Sequence, residues 1–188
     1  MVGSALDLII FDCDGVLIDS EVIANRVHAE ALSALGYPIT TQEMIDRFMG
    51  MSDASMYPLI EQELGRPVPA GHQDEVKAAI LAAFARELRP VAGVAEVLAT
   101  LSTARCVASS SAPERLRHSL ECAGLYRHFA PHVFSASMVA RGKPAPDLFL
   151  FAAGQLGAAH DAAIVIEASR MGVRAAKAAR MPGLGFSG

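Results

Sequence analysis

Residues 6–20, with the sequence LDLIIFDCDGVLIDS, join a short apolar run to two closely spaced aspartates and a glycine. The run at residues 8–11 predicts a strand that is buried on both faces. Asp12 and Asp14 follow where this strand opens into a loop. Side chains two positions apart in an extended chain project to the same side, so the two carboxylates should lie together. Because like charges so placed need a cation or a shared proton, the stretch predicts a catalytic loop.

The composition is that of a globular protein. The chain has 188 residues, 52% of them hydrophobic and 19% charged, which suffices for one domain with a smaller insert. A formal net charge of −4 offers no basic face for nucleic acid, and no apolar run approaches the ~20 residues that cross a bilayer. Without a secretory pattern at the N-terminus, we expect a cytoplasmic monomer or weak dimer with no nucleic-acid or membrane partner.

The three cysteines predict neither a disulfide framework nor a metal centre. Cys13, Cys106 and Cys122 are odd in number and lack the spacing of metal ligands. We therefore expect reduced thiols that pack in the protein interior.

Four helical patterns and no convincing strand occupy residues 21–88. Thr40 and Glu43 have the spacing of a capping box before one of these helices. From residue 90 onward, short buried strands alternate with helices, which predicts a parallel sheet with right-handed crossovers. The predicted fold is therefore α/β, with a Rossmann-like core of residues 1–19 and 90–188. An all-helical cap of residues 20–89 is inserted in it, and its two chain crossings suit opening and closing over a site.

Polar residues follow four of the predicted strands. Asp12 and Asp14 end the first strand, Ser109 ends the second, Lys143 lies in the loop after the third, and Glu167 ends the fourth. In an open parallel sheet, the loops at the carboxyl ends of the strands converge on one crevice. This set suits phosphoryl transfer to a carboxylate, because a cation and Lys143 can offset negative charge while Ser109 and backbone N–H groups grip phosphate oxygens.

Four ordered motifs resemble those of the haloacid dehalogenase superfamily, in its phosphatase and phosphoglucomutase-like branch with a helical cap. They are DxDGxxxDS at residues 12–20, VASS at 107–110, GKPxPD at 142–147 and VIE at 165–167. The resemblance covers nearly the whole chain. It implies the fold predicted above and an enzyme that hydrolyses phosphoric monoesters.

The resemblance also implies roles for individual residues. Asp12 is then the nucleophile that forms an aspartyl-phosphate, and Asp14 protonates the leaving alcohol before it activates water. Ser109 and Lys143 complete the catalytic set, and Ser110 contacts the substrate. Mg²⁺ is the expected cofactor, held by Asp12, by the backbone carbonyl of Asp14 and by Glu167.

The fourth motif departs from the pattern of the family at one position. This branch usually has Glu-Asp-Ser, whereas this chain has Glu167-Ala168-Ser169. Glu167 can bind the metal with a water filling the gap, or the protein has lost the metal and most of its turnover. We expect a weakened but real dependence on Mg²⁺. The second possibility leaves a non-catalytic protein that binds phosphorylated ligands or regulates another protein.

Two other positions favour hydrolysis over the related mutase reaction. The sugar-phosphate mutases of this branch have a histidine where this chain has Ala24, and an arginine where it has Asp53. A phosphomutase activity stays an alternative. The presence of Asp14 argues against carbon–halogen cleavage, because haloacid dehalogenases lack its equivalent.

The predicted substrate is a small phosphorylated metabolite, a sugar phosphate or a sugar-acid phosphate. In relatives, the first cap helix and the turn at Gly50 commonly face the nucleophile. Polar residues at these places are therefore candidate substrate contacts: Glu21, Asn25, Arg47 and Asp53.

Overall fold

The computed structural model of this chain describes residues 6–48 and 51–186. The chain divides into two compact units, of which one comprises Met1–Asp19 and Arg89–Gly188 and the other Ser20–Leu88. The predicted turn at Gly50 lies outside the described residues. None of the described helices is long and apolar enough to cross a membrane.

The described part of the unit Ser20–Leu88 consists of helices joined by loops. Its helices are α1 (Glu21–Ala34), α2 (Thr41–Phe48), α3 (Asp53–Leu64) and α4 (His72–Glu87). Thr40 and Glu43 form the predicted capping box, because the Thr40 N–H donates to Glu43 Oε2 (2.8 Å) and the Glu43 N–H donates to Thr40 Oγ1 (3.2 Å). Leu32, Met44 and Ile60 are buried in an apolar cluster that α1, α2 and α3 share.

The other unit contains a parallel sheet, with the strand order β3-β2-β1-β4-β5 in the described residues. The strands are β1 (Leu8–Phe11), β2 (Ala104–Ser109), β3 (Val133–Ser135), β4 (Ala163–Glu167) and β5 (Gly183–Gly185). The helices of this unit are α5 (Val94–Thr100), α6 (Pro113–Cys122), α7 (Asp147–Gln155) and α8 (Arg170–Ala178). The predicted α/β fold with a parallel sheet and a helical insertion is confirmed.

The central position of β1 brings the predicted site residues to one edge of the sheet. Residues 8–11 pair in register with residues 104–107 of β2 on one side and 163–166 of β4 on the other. Leu8 and Ile10 are fully buried in a core that includes Phe149 of α7. Because β1 is hydrogen-bonded on both sides and buried, its carboxyl end is held between those of β2 and β4.

Candidate active site

Lys143 joins two of the predicted site residues at this edge of the sheet. Its Nζ lies 2.8 Å from Asp12 Oδ1 and 2.6 Å from Glu167 Oε1. The side chains of Lys143 and Glu167 are only 3% and 1% exposed. A lysine in the loop after β3 therefore bridges carboxylates that follow β1 and end β4, as the convergence of strand ends predicts.

The buried charges of this cluster shift the pKa of two of its members. The pKa of Asp12 is raised to about 7, mainly by burial and to a smaller extent by the nearby Glu167 and Asp14 carboxylates, against the lowering effect of Lys143. Burial alone would lower the pKa of Lys143, but the Asp12 and Glu167 carboxylates outweigh it, and that pKa is raised. Two carboxylates around one ammonium leave a surplus of negative charge, which favours a further cation at the site.

Both carboxylate oxygens of Glu167 accept hydrogen bonds. Oε1 accepts from Lys143, and Oε2 accepts from the N–H (2.7 Å) and the hydroxyl (2.9 Å) of Ser169. The Ser169 hydroxyl in turn accepts from the Gly172 N–H (3.0 Å) and caps α8. In this arrangement, Glu167 holds Lys143 in place and connects it to the start of α8.

Gly172 is a site residue that the sequence analysis missed. A Cβ atom at this position would overlap the Glu167 carboxylate, so only glycine lets the first turn of α8 pack against it. The spacing of Glu167, Ser169 and Gly172 was the available signal. It could not be interpreted without knowing that the carboxylate turns back toward the helix.

Asp14 lies in a tight turn after β1, where Gly15 has a positive φ of 76°. Its Oδ2 accepts a hydrogen bond from the Ser111 hydroxyl (2.8 Å), and its Oδ1 lies 3.7 Å from Arg115 Nη2. Ser111 follows β2, and Arg115 lies in the first turn of α6. Neither residue was singled out from the sequence, because nothing local to them indicates a partner about 100 positions away.

The Ser109 hydroxyl shapes the turn between β2 and α6. Ser109 is buried, and its Oγ accepts from the Ser111 N–H (3.0 Å). The buried Ser135 of β3 donates from its hydroxyl to the Ser111 carbonyl (2.7 Å). Ser110, the predicted substrate contact between these residues, is exposed. The roles of Ser109 and Ser110 in binding phosphate stay predictions.

The candidate substrate contacts in the helical unit have local partners. The Asn25 side chain donates to the Glu21 carbonyl (2.8 Å) within α1. Arg47 Nη2 lies 2.6 Å from Glu63 Oε1, and its guanidinium stacks 4.7 Å from the centre of the Phe48 ring. Asp53 Oδ1 is 3.9 Å from His28 Nε2. Their contribution to substrate selection stays a prediction.

The residues present fit Mg²⁺ through carboxylate and carbonyl oxygens. In the part of the chain that the structure describes, no group of three or more His, Cys, Asp and Glu side chains is arranged as a metal centre. Mg²⁺ needs no such cage, since it is commonly held by one or two carboxylates, substrate phosphate and water. The Asp12 carboxylate and the Asp14 backbone carbonyl can supply the protein ligands, and the surplus negative charge around Lys143 favours a cation there. Glu167 already accepts three hydrogen bonds, which leaves acceptor capacity for a cation on Oε1.

A cavity of about 310 Å³ adjoins the unusual residue of the fourth motif. Ala168 lines it together with Glu167 and the arginines Arg170 and Arg174 of α8. A carboxylate at residue 168 would therefore have room, but it would lie near two positive side chains.

Comparison with known proteins identifies relatives that match over almost the full length of this chain. The matching family model is described as a haloacid dehalogenase-like hydrolase and spans residues 6–180. A 6-phosphogluconate phosphatase of Escherichia coli (strain K12) is 26% identical over 172 residues, which cover 91% of this chain and 78% of that protein.

Two solved structures share the fold at higher identity. A conserved haloacid dehalogenase-like protein of unknown function from Agrobacterium tumefaciens (strain C58) superposes with a TM-score of 0.86 at 41% identity, covering 97% of this chain and 83% of that one. A haloacid dehalogenase family hydrolase from Deinococcus radiodurans R1, with bound phosphate and sodium, gives 0.82 at 32% identity, covering 97% and 81%.

Proposed function

This chain belongs to the haloacid dehalogenase-like hydrolases, and we propose that it is a phosphatase that hydrolyses a small phosphorylated metabolite through an aspartyl-phosphate on Asp12. The observation that carries the proposal is the buried contact of Asp12 with Lys143. It supplies a carboxylate nucleophile beside a fixed positive charge that can neutralise a phosphoryl group.

In the first step of the proposed reaction, an Asp12 carboxylate oxygen attacks phosphorus. The bond between phosphorus and the ester oxygen breaks, and its electron pair goes to that oxygen, which takes the proton from Asp14. The Lys143 ammonium, the Ser109 hydroxyl and backbone N–H groups of the loop offset the charge on the phosphoryl oxygens. The product alcohol leaves, and Asp12 carries the phosphoryl group.

In the second step, Asp14 is ionised and accepts a proton from water, which attacks phosphorus. The bond between phosphorus and the Asp12 oxygen breaks, which releases inorganic phosphate and restores the carboxylate. Mg²⁺ held by Asp12 and Asp14 would supply additional positive charge for the phosphoryl oxygens in both steps.

The substrate class that we propose is a sugar phosphate or a sugar-acid phosphate. The name of the Escherichia coli relative supports a sugar-acid phosphate. The side chains that would select it stay a prediction, with Glu21, Asn25, Arg47 and Asp53 as candidates.

A non-catalytic protein that binds phosphorylated ligands is the second candidate. One observation favours it: residue 168 offers no carboxylate, while both oxygens of Glu167 are already engaged. Such a protein would keep the anion-binding contribution of Lys143 without turnover.

A phosphatase assay with p-nitrophenyl phosphate and Mg²⁺ separates the two candidates. We expect turnover that Asp12→Asn abolishes and that Asp74→Asn, a change at an exposed aspartate of α4, leaves unchanged. Phosphate binding without turnover in the unmodified protein would support the non-catalytic candidate. A panel of sugar and sugar-acid phosphates then identifies the substrate by the release of inorganic phosphate.

A further inference from the structure

Ser111 and Arg115 contact different oxygens of the Asp14 carboxylate. The Ser111 hydroxyl donates to Oδ2 at 2.8 Å, and Arg115 Nη2 lies 3.7 Å from Oδ1. Both residues belong to the segment that runs from β2 into α6. A carboxylate contacted at both oxygens has a restricted choice of side-chain rotamer and orientation.

The backbone of Ser111 is itself held on both sides by buried hydroxyl groups. Its N–H donates to Ser109 Oγ (3.0 Å), and its carbonyl accepts from Ser135 Oγ (2.7 Å). Ser109 and Ser135 are each 1% exposed. The Ser111 hydroxyl is therefore presented to Asp14 by two neighbouring strands of the sheet, which is the kind of rigid support that an oriented catalytic group requires.

Arg115 reaches Asp14 from the start of α6. The helix begins at Pro113, so Arg115 lies in its first turn, and its Nε is buried while its side chain as a whole is 37% exposed. The guanidinium thus places a positive charge beside Oδ1 of Asp14.

We propose that Ser111 and Arg115 are positioning residues that hold Asp14 for proton transfer to the leaving group. This inference rests on the role of Asp14 in the proposed function. A serine hydroxyl donates to an ionised carboxylate and accepts from a protonated one, so its contact persists when Asp14 changes state. Arg115 attracts the negative charge that develops on Asp14 as its proton moves to the ester oxygen and the bond to phosphorus breaks.

The dependence on the leaving group distinguishes positioning from a general structural role. A sugar hydroxyl is a poor leaving group and needs the proton, whereas p-nitrophenolate leaves without it. Loss of positioning should therefore reduce cleavage of alkyl phosphates selectively. The kcat/KM value is the correct readout, because it reports only the steps up to the first irreversible one, before water attacks the phosphoenzyme.

The experiment compares kcat/KM for fructose 1-phosphate and p-nitrophenyl phosphate, with saturating Mg²⁺, in the full-length protein. We expect Ser111→Ala and Arg115→Met to lower kcat/KM about 10-fold or more for fructose 1-phosphate, and less than about 3-fold for p-nitrophenyl phosphate. Ser111→Thr keeps the hydroxyl and should recover most of the loss. Arg117→Met and Ser119→Ala, in the same helix, are the matched controls and should change neither value.

Equal losses on both substrates, or no loss on either, would overturn the proposal. Thermal unfolding of each variant shows whether it is folded, and the Arg115→Met result decides if Ser111→Ala does not fold. The Asp14→Asn variant, measured beside them, distinguishes failure of the positioning role from failure of the acid role of Asp14. If Asp14→Asn lowers kcat/KM only for fructose 1-phosphate and the Ser111 and Arg115 variants lower neither value, the positioning role alone is overturned. If Asp14→Asn lowers kcat/KM equally for both substrates, the acid role of Asp14 in the proposed function is overturned as well.

Discussion

Lys143 Nζ lies 2.6 Å from Glu167 Oε1, at a place where both side chains are almost completely buried. Asp12, the proposed nucleophile, contacts the same ammonium at 2.8 Å. Glu167 therefore helps to fix the position and charge of Lys143 beside Asp12 in the structure described here, in addition to its predicted role as a metal ligand.

Replacement of Glu167 should impair both stability and activity. The contacts of its carboxylate come from donors: the Lys143 ammonium, the Ser169 N–H and the Ser169 hydroxyl. In Glu167→Gln, the amide NH₂ would face a donor in either orientation. We expect Glu167→Ala to lower the free energy of unfolding by about 3 kcal/mol, because it leaves Lys143 with fewer partners in the interior. Urea unfolding and the phosphatase assay measure the two effects, with Glu96→Gln in α5 as an exposed control. Unchanged activity in both Glu167 variants would contradict this account.

Gly172→Ala tests the packing of α8 against Glu167. The added methyl group overlaps the Glu167 carboxylate, so either the helix or the carboxylate must move. We expect a destabilisation of about 1–3 kcal/mol and a loss of activity. Gly154→Ala in α7 is the matched control, because a Cβ there meets no atom within 4 Å apart from its own helix backbone and chain neighbours. This change should be neutral or stabilising. Equal stabilities of the two variants, measured by urea unfolding, would refute the overlap.

Ala168→Asp should strengthen the dependence on Mg²⁺. The new carboxylate adds negative charge beside Glu167, in a cavity that has room for it and that Arg170 and Arg174 also line. We expect the Mg²⁺ concentration for half-maximal activity to fall by about 10-fold, since affinity for such ions follows the number of charged oxygen ligands. Ala168→Asn has a similar shape without the charge and should give a smaller shift. Identical Mg²⁺ titration curves for Ala168→Asp and the unmodified protein would show that residue 168 does not matter.

The stability of the protein without divalent cations should depend on the ionisation of Asp12. Burial raises the pKa of Asp12 to about 7, above its value in the unfolded chain, so the folded state binds this proton more tightly. The stability that protonated Asp12 contributes to the folded state is then present at acid pH and is lost as the pH rises toward and through 7. The Asp12→Asn variant has no ionisable group at this position. The free energy of unfolding of the unmodified protein, relative to that variant, should therefore fall between pH 4 and pH 8, as measured by urea unfolding in EDTA. A difference that is constant with pH would argue against a raised pKa.

Local signals in the sequence were sufficient for the secondary structure and for much of the candidate site. The capping box of Thr40 and Glu43 depends on residues three apart, and the structure contains it. The apolar run of β1 and the alternation of strands with helices specified the parallel sheet. Because parallel strand ends converge, the same pattern predicted that Asp12, Lys143 and Glu167 lie together.

The sequence by itself thus determined which elements form and which chemical groups collect at one edge of the sheet, since both follow from short-range periodicity and from the geometry of parallel strands. Only the tertiary structure decided which groups pair there. That Lys143 bridges Asp12 and Glu167, that Gly172 makes room for Glu167, and that Ser111 and Arg115 contact Asp14 depends on strand order, register and side-chain direction. These contacts join residues up to 131 positions apart, and no local pattern encodes them.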